Sequence, residues 1–395
     1  MAGYAGSKMQ EAGCARSRLC EKEAGEMTEP LELKRTPLYE EHLALGARMA
    51  PFSGWEMPVQ YMGIIEEHSA VRTRAGIFDV SHMAEFRVSG SAAFDYLQHV
   101  LTNDLERISG LGQAQYTLML DDSGGIIDDI IVYHSGDLEY LIITNAANHA
   151  SDLEWLQSHA PEGLELVDES DRTGLIALQG PGSKAVISEL AGQDWQLPSR
   201  FCMKEAVLGG SVPVLVARTG YTGEDGVEIV SRASDTPKVW RMLLSFSEVV
   251  PAGLGARDIL RLEMGYALYG SDMDRDVDPI SAGLGWVCPK SKAGYIGAEK
   301  VAAVRAEGPK KRLAYLRTDG GIPRHGYPVL HDGTEVGMVA SGTFSPVLQT
   351  GIASAYLPVG LAEIGIEVEI AVRKKRTGAQ VVKAPFIEPK AQPGP

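Results

Sequence analysis

The chain has 395 residues, which at about 150 residues per domain makes two or three domains, each able to bury a core without disulfides or structural metals. Apolar residues make up 44% and charged residues 23%, the composition of a globular protein and not of a disordered chain. Lys and Arg total 37 against 52 Asp and Glu, a formal net charge of -15, which argues against the broad basic footprint that nucleic acid or an anionic membrane needs.

Residues 1–32 read as a disordered extension. They lack the apolar stretch of a secretory signal, and Glu11, Glu21, Glu23, Glu26 and Glu29 beside Arg16 and Arg18 are unlike an organellar transit peptide. The four cysteines, Cys14, Cys20, Cys202 and Cys288, form no CxxC pair and have no histidine at zinc-finger spacing. Scattered thiols fit a reducing compartment, and no run reaches 18 apolar residues, so the expected location is cytoplasmic.

From residue 33 the elements follow in order. Thr36-Pro37 offers a helix start, 66–75 reads as a helix ended by Gly76, and 78–83 and 84–88 read as strand. Phe94, Leu97 and Val100 recur at helical spacing within 91–100. Runs 126–133 and 138–143 are strands joined by a turn at 134–137, and 148–159 is a helix. Strands at 175–178 and 212–217 alternate with helices at 183–191 and 237–246, giving an α+β pattern over 33–305. Residues 306–312 form a linker. Beyond it short strands at 313–317, 327–330, 335–341 and 367–373, spaced by Gly, Pro and Asp turns, predict an all-β domain over 306–388, followed by a disordered tail, 389–395.

Several chemistries lack their parts. There is no GxxxxGK[ST], HExxH or GxSxG, the histidines stand singly, and glycines 220, 223 and 226 do not make a dinucleotide fingerprint. Gly180-Pro181-Gly182-Ser183 before a helix either cradles an anion or makes a tight turn. Three polar segments remain. In Thr102-Asn103-Asp104, Asp104 either caps the next turn or faces a site. Asp128 and Asp129 fall on opposite faces of an apolar strand, so one is solvated and the other is paired or lines a cavity. In 218–229, glycines permit unusual backbone angles, and Glu228 between Val227 and Ile229 projects from the strand to meet Arg257-Asp258. A carboxylate and a guanidinium with Tyr221 beside them either hold a flat heterocycle by its donor and acceptor edges or form an ion-pair network.

Taken in series, Asp79-Val80-Ser81-His82-Met83, Thr102-Asn103-Asp104, Gly125-Ile126-Ile127-Asp128-Asp129, Leu178-Gln179-Gly180-Pro181, 218–228, Ala256-Arg257-Asp258 and Gly283-Leu284-Gly285-Trp286 closely resemble the aminomethyltransferases, the T-proteins of the glycine cleavage system. The resemblance covers roughly 33–387. It implies a three-domain cloverleaf around a central cavity, with two interleaved α+β folate-binding domains in 33–305 and a C-terminal barrel. It implies transfer of the aminomethyl carbon on the lipoyl arm of the H-protein to tetrahydrofolate, a co-substrate, with ammonia released. No metal or flavin is implied, and the partners are the lipoylated H-protein and the other glycine cleavage components. By motif, Asp104 is the catalytic carboxylate beside folate N5, which can orient that nitrogen, relay a proton and stabilise the cationic state of the transferred carbon. Glu228 and Arg257 hydrogen-bond folate, Tyr221 packs in its site, and Asn103, Tyr116 and Asp129 line it.

One departure stands out. Some members carry a tyrosine a few residues past the Pro-Phe pair, whereas Pro385-Phe386 is followed here by Ile-Glu-Pro-Lys-Ala, which touches the contacts to the p-aminobenzoyl or glutamate part of folate. The run Arg373-Lys374-Lys375-Arg376 serves a polyglutamate tail, serves the H-protein, or ends a solvated hairpin. Two other readings share the fold. A folate-dependent demethylase works beside a flavoprotein, and no flavin-binding segment is present. A folate-binding iron–sulfur assembly factor carries a cysteine where this chain has Lys292-Ala293-Gly294-Tyr295.

Overall fold

The computed structural model describes residues 32–373 and 375–391. The expected extension, with Cys14 and Cys20, therefore lies outside the described residues except for Glu32. The elements begin with α1 (Tyr39–Ala44), the hairpin β1 and β2 (Arg48–Phe52, Trp55–Gln60), α2 (Ile64–Thr73) and β3 (Ala75–Asp79). Next come β4 (Ala84–Ser89), α3 (Ala93–Val100), β5 (Ala114–Leu120), β6 (Ile126–Gly136), β7 (Glu139–Thr144), α4 (His149–Ser158) and β8 (Glu165–Asp168). Then follow β9 (Thr173–Gln179), α5 (Ser183–Ala191), β10 (Met203–Leu208), β11 (Val212–Ala217), β12 (Gly226–Arg232), α6 (Thr236–Leu244), β13 (Val249–Pro251), α7 (Leu254–Glu263) and α8 (Ala298–Glu307). The remainder is all strand: β14 (Lys311–Thr318), β15 (Pro328–His331), β16 (Thr334–Ser345), β17 (Thr350–Pro358), β18 (Glu367–Val372) and β19 (Lys375–Val382).

Beside the β1-β2 hairpin, the strands make two larger open sheets and a barrel. A five-stranded sheet has the order β5-β6-β7-β4-β8, and a six-stranded sheet has the order β10-β11-β12-β9-β3-β13. The segment carrying β4 to β8 is thus inserted between β3 and β9, neighbours in the other sheet. The last six strands close as β14-β17-β16-β15-β18-β19, which leaves that unit without an open edge.

The periodicity of each helix accounts for its packing. Tyr96, Leu97 and Val100 on one face of α3 are buried with Phe86 and Ile142 of the five-stranded sheet. Val239, Trp240 and Leu243 of α6 are buried with Ile176, Leu178 and Ile229 of the six-stranded sheet. A third cluster joins the two sheets through Phe78, Tyr133, Leu141, Leu175 and Leu260. Each such side chain contributes about 1.5–3 kcal/mol when fully buried.

The barrel is held to α7 by polar contacts. Arg261 donates to Asp272 (2.6 Å) and to Ser341 of β16 (2.8 Å), and Ser354 of β17 donates to Asp272. Ser345 donates to Glu263 (2.6 Å), and Tyr315 to the carbonyl of Gly265 (2.7 Å). Among the described residues, no helix is long and apolar enough to cross a membrane.

Some expectations need correction. The helix expected at 66–75 starts at Ile64 and ends at Thr73, and Gly76 does not end it but lies inside β3, where a Cβ would meet Val71 at 2.4 Å. The turn after β6 is at Asp137 and Leu138, the latter at φ 54°, so the strand runs through residue 136. The linker expected at 306–312 shrinks to 308–310, since α8 continues to Glu307 and β14 starts at Lys311. The tail expected to be disordered from residue 389 is docked at Lys390 and Ala391, whose N–H groups donate to the carbonyl of Gly223 (3.0 and 2.9 Å). Residues 392–395 lie outside the described residues.

Candidate active site

Asp104 follows α3, at the head of a short 3₁₀ turn (Leu105–Ile108) that it caps by accepting from the N–H of Glu106 (3.1 Å). The same oxygen, Oδ1, accepts from Nε2 of Gln98 on α3 (2.8 Å). Oδ2 has no protein partner among the described residues. Capping and a site role, alternatives in the sequence, are thus compatible in one carboxylate. The Gln98 amide, against slight burial and with help from the Glu106 N–H and the Lys292 and Arg107 charges, holds the Asp104 carboxyl below its ordinary range. Asn103, beside it, donates from Nδ2 to the carbonyl of Tyr116 (2.9 Å) and receives the Asp104 N–H (3.0 Å).

Tyr116 on β5 lies stacked on Trp286, with ring centroids 5.7 Å apart, and donates to Asp129 (3.0 Å). Of the two adjacent acids only Asp129 keeps partial exposure, and it is hydrogen-bonded as well. Asp128 is fully buried and accepts from the backbone N–H of Asn145 (2.9 Å) and the side-chain amides of Asn145 (2.8 Å) and Asn148 (2.7 Å). Asn145 also donates to Asp129 (2.8 Å). Burial and the Asp128 charge push the Asp129 carboxyl up to about 7. Asp152 lies against Asp128, and burial with that charge pushes it to about 10.

On the other sheet, Glu228 of β12 is 7% exposed and accepts from the Thr219 hydroxyl (2.5 Å) through Oε2, leaving Oε1 without a protein partner among the described residues. Arg257 of α7 lies over the Tyr221 ring, 4.9 Å from its centroid. Its Nη1 is buried with no hydrogen-bond partner. Burial lowers the Arg257 pKa and the Glu228 charge opposes this. Asp258, expected beside them, instead pairs with Arg261 (2.8 Å). Tyr221 donates to the carbonyl of Ala267 and stacks on Tyr266 with centroids 5.6 Å apart. It also lies near enough to Tyr116 and Asp129 to feel their charges.

Five sequence candidates, Tyr116, Asp129, Tyr221, Glu228 and Arg257, therefore gather where the two sheets meet. Asp104 is joined to them through Asn103. The loop glycines differ in purpose. Gly223 alone of the three has positive φ (+75°), while Gly220 and Gly226 give room to Gln179, which a Cβ would meet at 2.1 and 2.5 Å. Arg218 pairs with Asp225 (2.7 Å), so part of this loop is the ion-pair network that was the alternative reading. Gly180 is a turn packed on the carbonyls of Arg74 and Val71. A cleft of about 610 Å³ lined by Glu85, Thr173, Trp195 and Leu215 holds none of the candidates. Gln98, Asn145 and Lys292 were not picked out as site residues in the sequence, because each bonds a site residue from an element with no polar motif of its own, whereas Thr219 lies inside the 218–229 segment but was not singled out within it.

The described geometry has close relatives. Residues 38–292 match the family described as the GCVT N-terminal domain, and residues 311–388 match the glycine cleavage T-protein C-terminal barrel domain. Aminomethyltransferases of Halothermothrix orenii and Geobacillus kaustophilus are each 44% identical over 359 residues, covering 90% of this chain and 100% and 98% of their own. The crystal structure of glycine cleavage system aminomethyltransferase T from Bartonella henselae is similar at a TM-score of 0.85 and 33% identity, covering 91% of this chain and 99% of that one.

Proposed function

Because the chain belongs to the aminomethyltransferases, the T-proteins of the glycine cleavage system, we propose that it moves the aminomethyl carbon from the lipoyl arm of the H-protein to tetrahydrofolate. The C–S bond to lipoyl and the C–N bond to the amine break, and two C–N bonds form to folate N5 and N10. The protons released from N5 and N10 go to the lipoyl thiol and to ammonia. The products are dihydrolipoyl H-protein, ammonia and 5,10-methylenetetrahydrofolate.

The observation that carries the folate reading is the buried, unpartnered Nη1 of Arg257, whose guanidinium lies near enough to Glu228 to feel its charge. An orphaned buried donor is costly unless a ligand supplies its acceptor. The guanidinium suits a carbonyl edge, the carboxylate an N–H edge, and Tyr221 with its stacked partner a flat ring. Asn103, Tyr116 and Asp129 complete the lining in this reading. Asp104, with Oδ2 unbonded and its charge favoured, would orient N5, accept its proton and stabilise positive charge on the carbon in transit. Holding two reactants together supplies much of the remaining rate.

The same reading keeps two interleaved domains in 33–305 and a third in 306–388. It is supported by the insertion of β4 to β8 between two strands of the six-stranded sheet. It also keeps the cytoplasm, with Cys202 and Cys288 unpaired. Arg373 lies in the turn between β18 and β19, Lys375 begins β19, and Arg376 pairs with Glu369 (3.2 Å), which supports a hairpin end over a docking patch. The test is to incubate the protein with tetrahydrofolate and aminomethylated H-protein and to measure ammonia. Folate-dependent release is expected, and ammonia at the same rate without folate overturns the reading.

A further inference from the structure

We propose that Lys292 is a positioning residue for Asp104: its buried ammonium bridges the carbonyls on either side of Thr102 and so fixes the turn that presents the carboxylate. The inference rests on the reading of Asp104 as the acting carboxylate.

Nζ of Lys292 donates to the carbonyls of Leu101 and Asn103, each at 2.7 Å, and the residue is 8% exposed. Leu101 is the residue that ends α3, and its carbonyl is one of those the helix itself leaves unbonded. A cation at that end also meets the negative pole of the helix. Asn103 is the residue immediately before Asp104, so the two anchored carbonyls bracket the approach to the site carboxylate. Lys292 is itself held. Its N–H donates to Pro289 O (3.1 Å), the N–H of Ile296 donates to His99 O (3.1 Å), and His99 Nδ1 lies 2.8 Å from Gly294 O. The loop before α8 therefore clamps the end of α3 at three points.

The charges around the ammonium are few. Asp104 faces it from the turn, Cys288 and the Tyr295 ring (5.8 Å) face it from its own loop, and Arg107 stands across Asp104. Arg305 of α8 approaches the far side of Cys288, where it bonds the carbonyl (2.7 Å). Burial lowers Lys292 to about 8, opposed by Asp104 and Cys288. A buried amine of this kind is costly, and an apolar side chain would fill the slot without that cost. What an apolar side chain cannot supply is two donors for two carbonyls, and a positive charge that adds to the Gln98 bond in favouring the ionised Asp104.

The experiment compares K292M and K292R with the natural protein, and repeats K292M in a D104N background. Turnover in folate-dependent ammonia release, KM for tetrahydrofolate and thermal midpoint are measured across pH. K292M should lower kcat by about tenfold or more with KM within about twofold, and should move the acid limb of kcat to higher pH, because the carboxylate has lost its cation. K292R, which keeps the charge, should leave that limb in place, and it carries the test if K292M melts below the assay temperature. In D104N, K292M should cost no more than about twofold, since the residue through which it acts is gone. An unmoved acid limb in K292M, or the same loss with and without Asp104, overturns the proposal. D104N at the natural rate would remove the reading of Asp104 and this inference together, whereas an inactive D104N with additive K292M removes the inference alone.

Discussion

Arg257 and Asp104 separate two demands on a site residue, being costly to the fold and being needed for turnover. Arg257 buries a donor that no protein group accepts, so Arg257→Met should leave the thermal midpoint unchanged or higher while weakening tetrahydrofolate binding by about 10- to 100-fold. Calorimetric titration checks it, and unchanged affinity would take Arg257 out of the ligand site. Asp104→Asn keeps the size and the 3₁₀ cap but removes the charge, so folate should bind within about threefold while turnover falls by at least about 100-fold. Near-normal turnover in that variant would remove Asp104 from its role. The sequence showed these two differently. Glu228 and Arg257 were visible as charges where an apolar strand and a helix have no structural use for them. Asn103 and Tyr116 were reached only by resemblance, and Gln98 and Lys292 not at all, since their partners lie 6 and 189–191 positions away and nothing local marks them.

At the scale of elements, β4 carries a pH response. Glu85 on that strand is 1% exposed, with Oε2 bonded by Thr173 (3.0 Å) and Oε1 without a partner, and burial raises its pKa to about 8. The folded chain then keeps a proton that the unfolded chain releases near pH 4.3. Stability contributed by that proton is full below about 4.3 and is lost as pH rises to 8. Glu85→Gln should therefore match the natural protein near pH 4 and exceed it by a few kcal/mol at pH 8 in urea unfolding. Parallel pH curves for the two proteins would refute this. Element boundaries were read best where side chains are aliphatic on both sides of a strand, and β11 falls on the predicted residues 212–217. β5 was overlooked because Gln115, Tyr116 and Thr117 interrupt its apolar pattern, and two of those three side chains serve the site. β17 was overlooked for another reason. Its Gly351, Ala353, Ser354 and Ala355 are small, as a strand between two close neighbours in a barrel requires, and small residues carry little strand signal.

For the whole molecule, the joint between α7 and the barrel decides cooperativity. Asp272 gathers Arg261, the N–H of Leu268, Ser341 and Ser354 in a buried network. Asp272→Ala removes the buried counter-charge of Arg261, leaving only the half-exposed Asp258, and should cost about 3–5 kcal/mol, read by chemical denaturation. Hydrogen exchange should show β16 and β17 opening ahead of the two sheets. A loss under about 1 kcal/mol would mean that apolar contact alone holds the barrel. The barrel was legible in the sequence as a separate all-β run, whereas this joint was not, because Asp272 sits in a loop whose partners are 69 and 82 residues further on.

The docking of Lys390 and Ala391 on Gly223 reverses the usual relation between chain order and assembly order. The segment that pins the loop bearing Tyr221 is synthesised after the barrel, and Lys390 reaches on to the carbonyl of Arg72 (2.7 Å), at the end of α2. Phe386 is tied to Glu263 on the way (2.8 Å). The closures that complete the site therefore span more than 100, 150 and 300 residues, among the slowest kinds of contact to form. A nascent chain would hold both sheets well before its loop is fastened, so competence to bind ligand should be the last property it acquires.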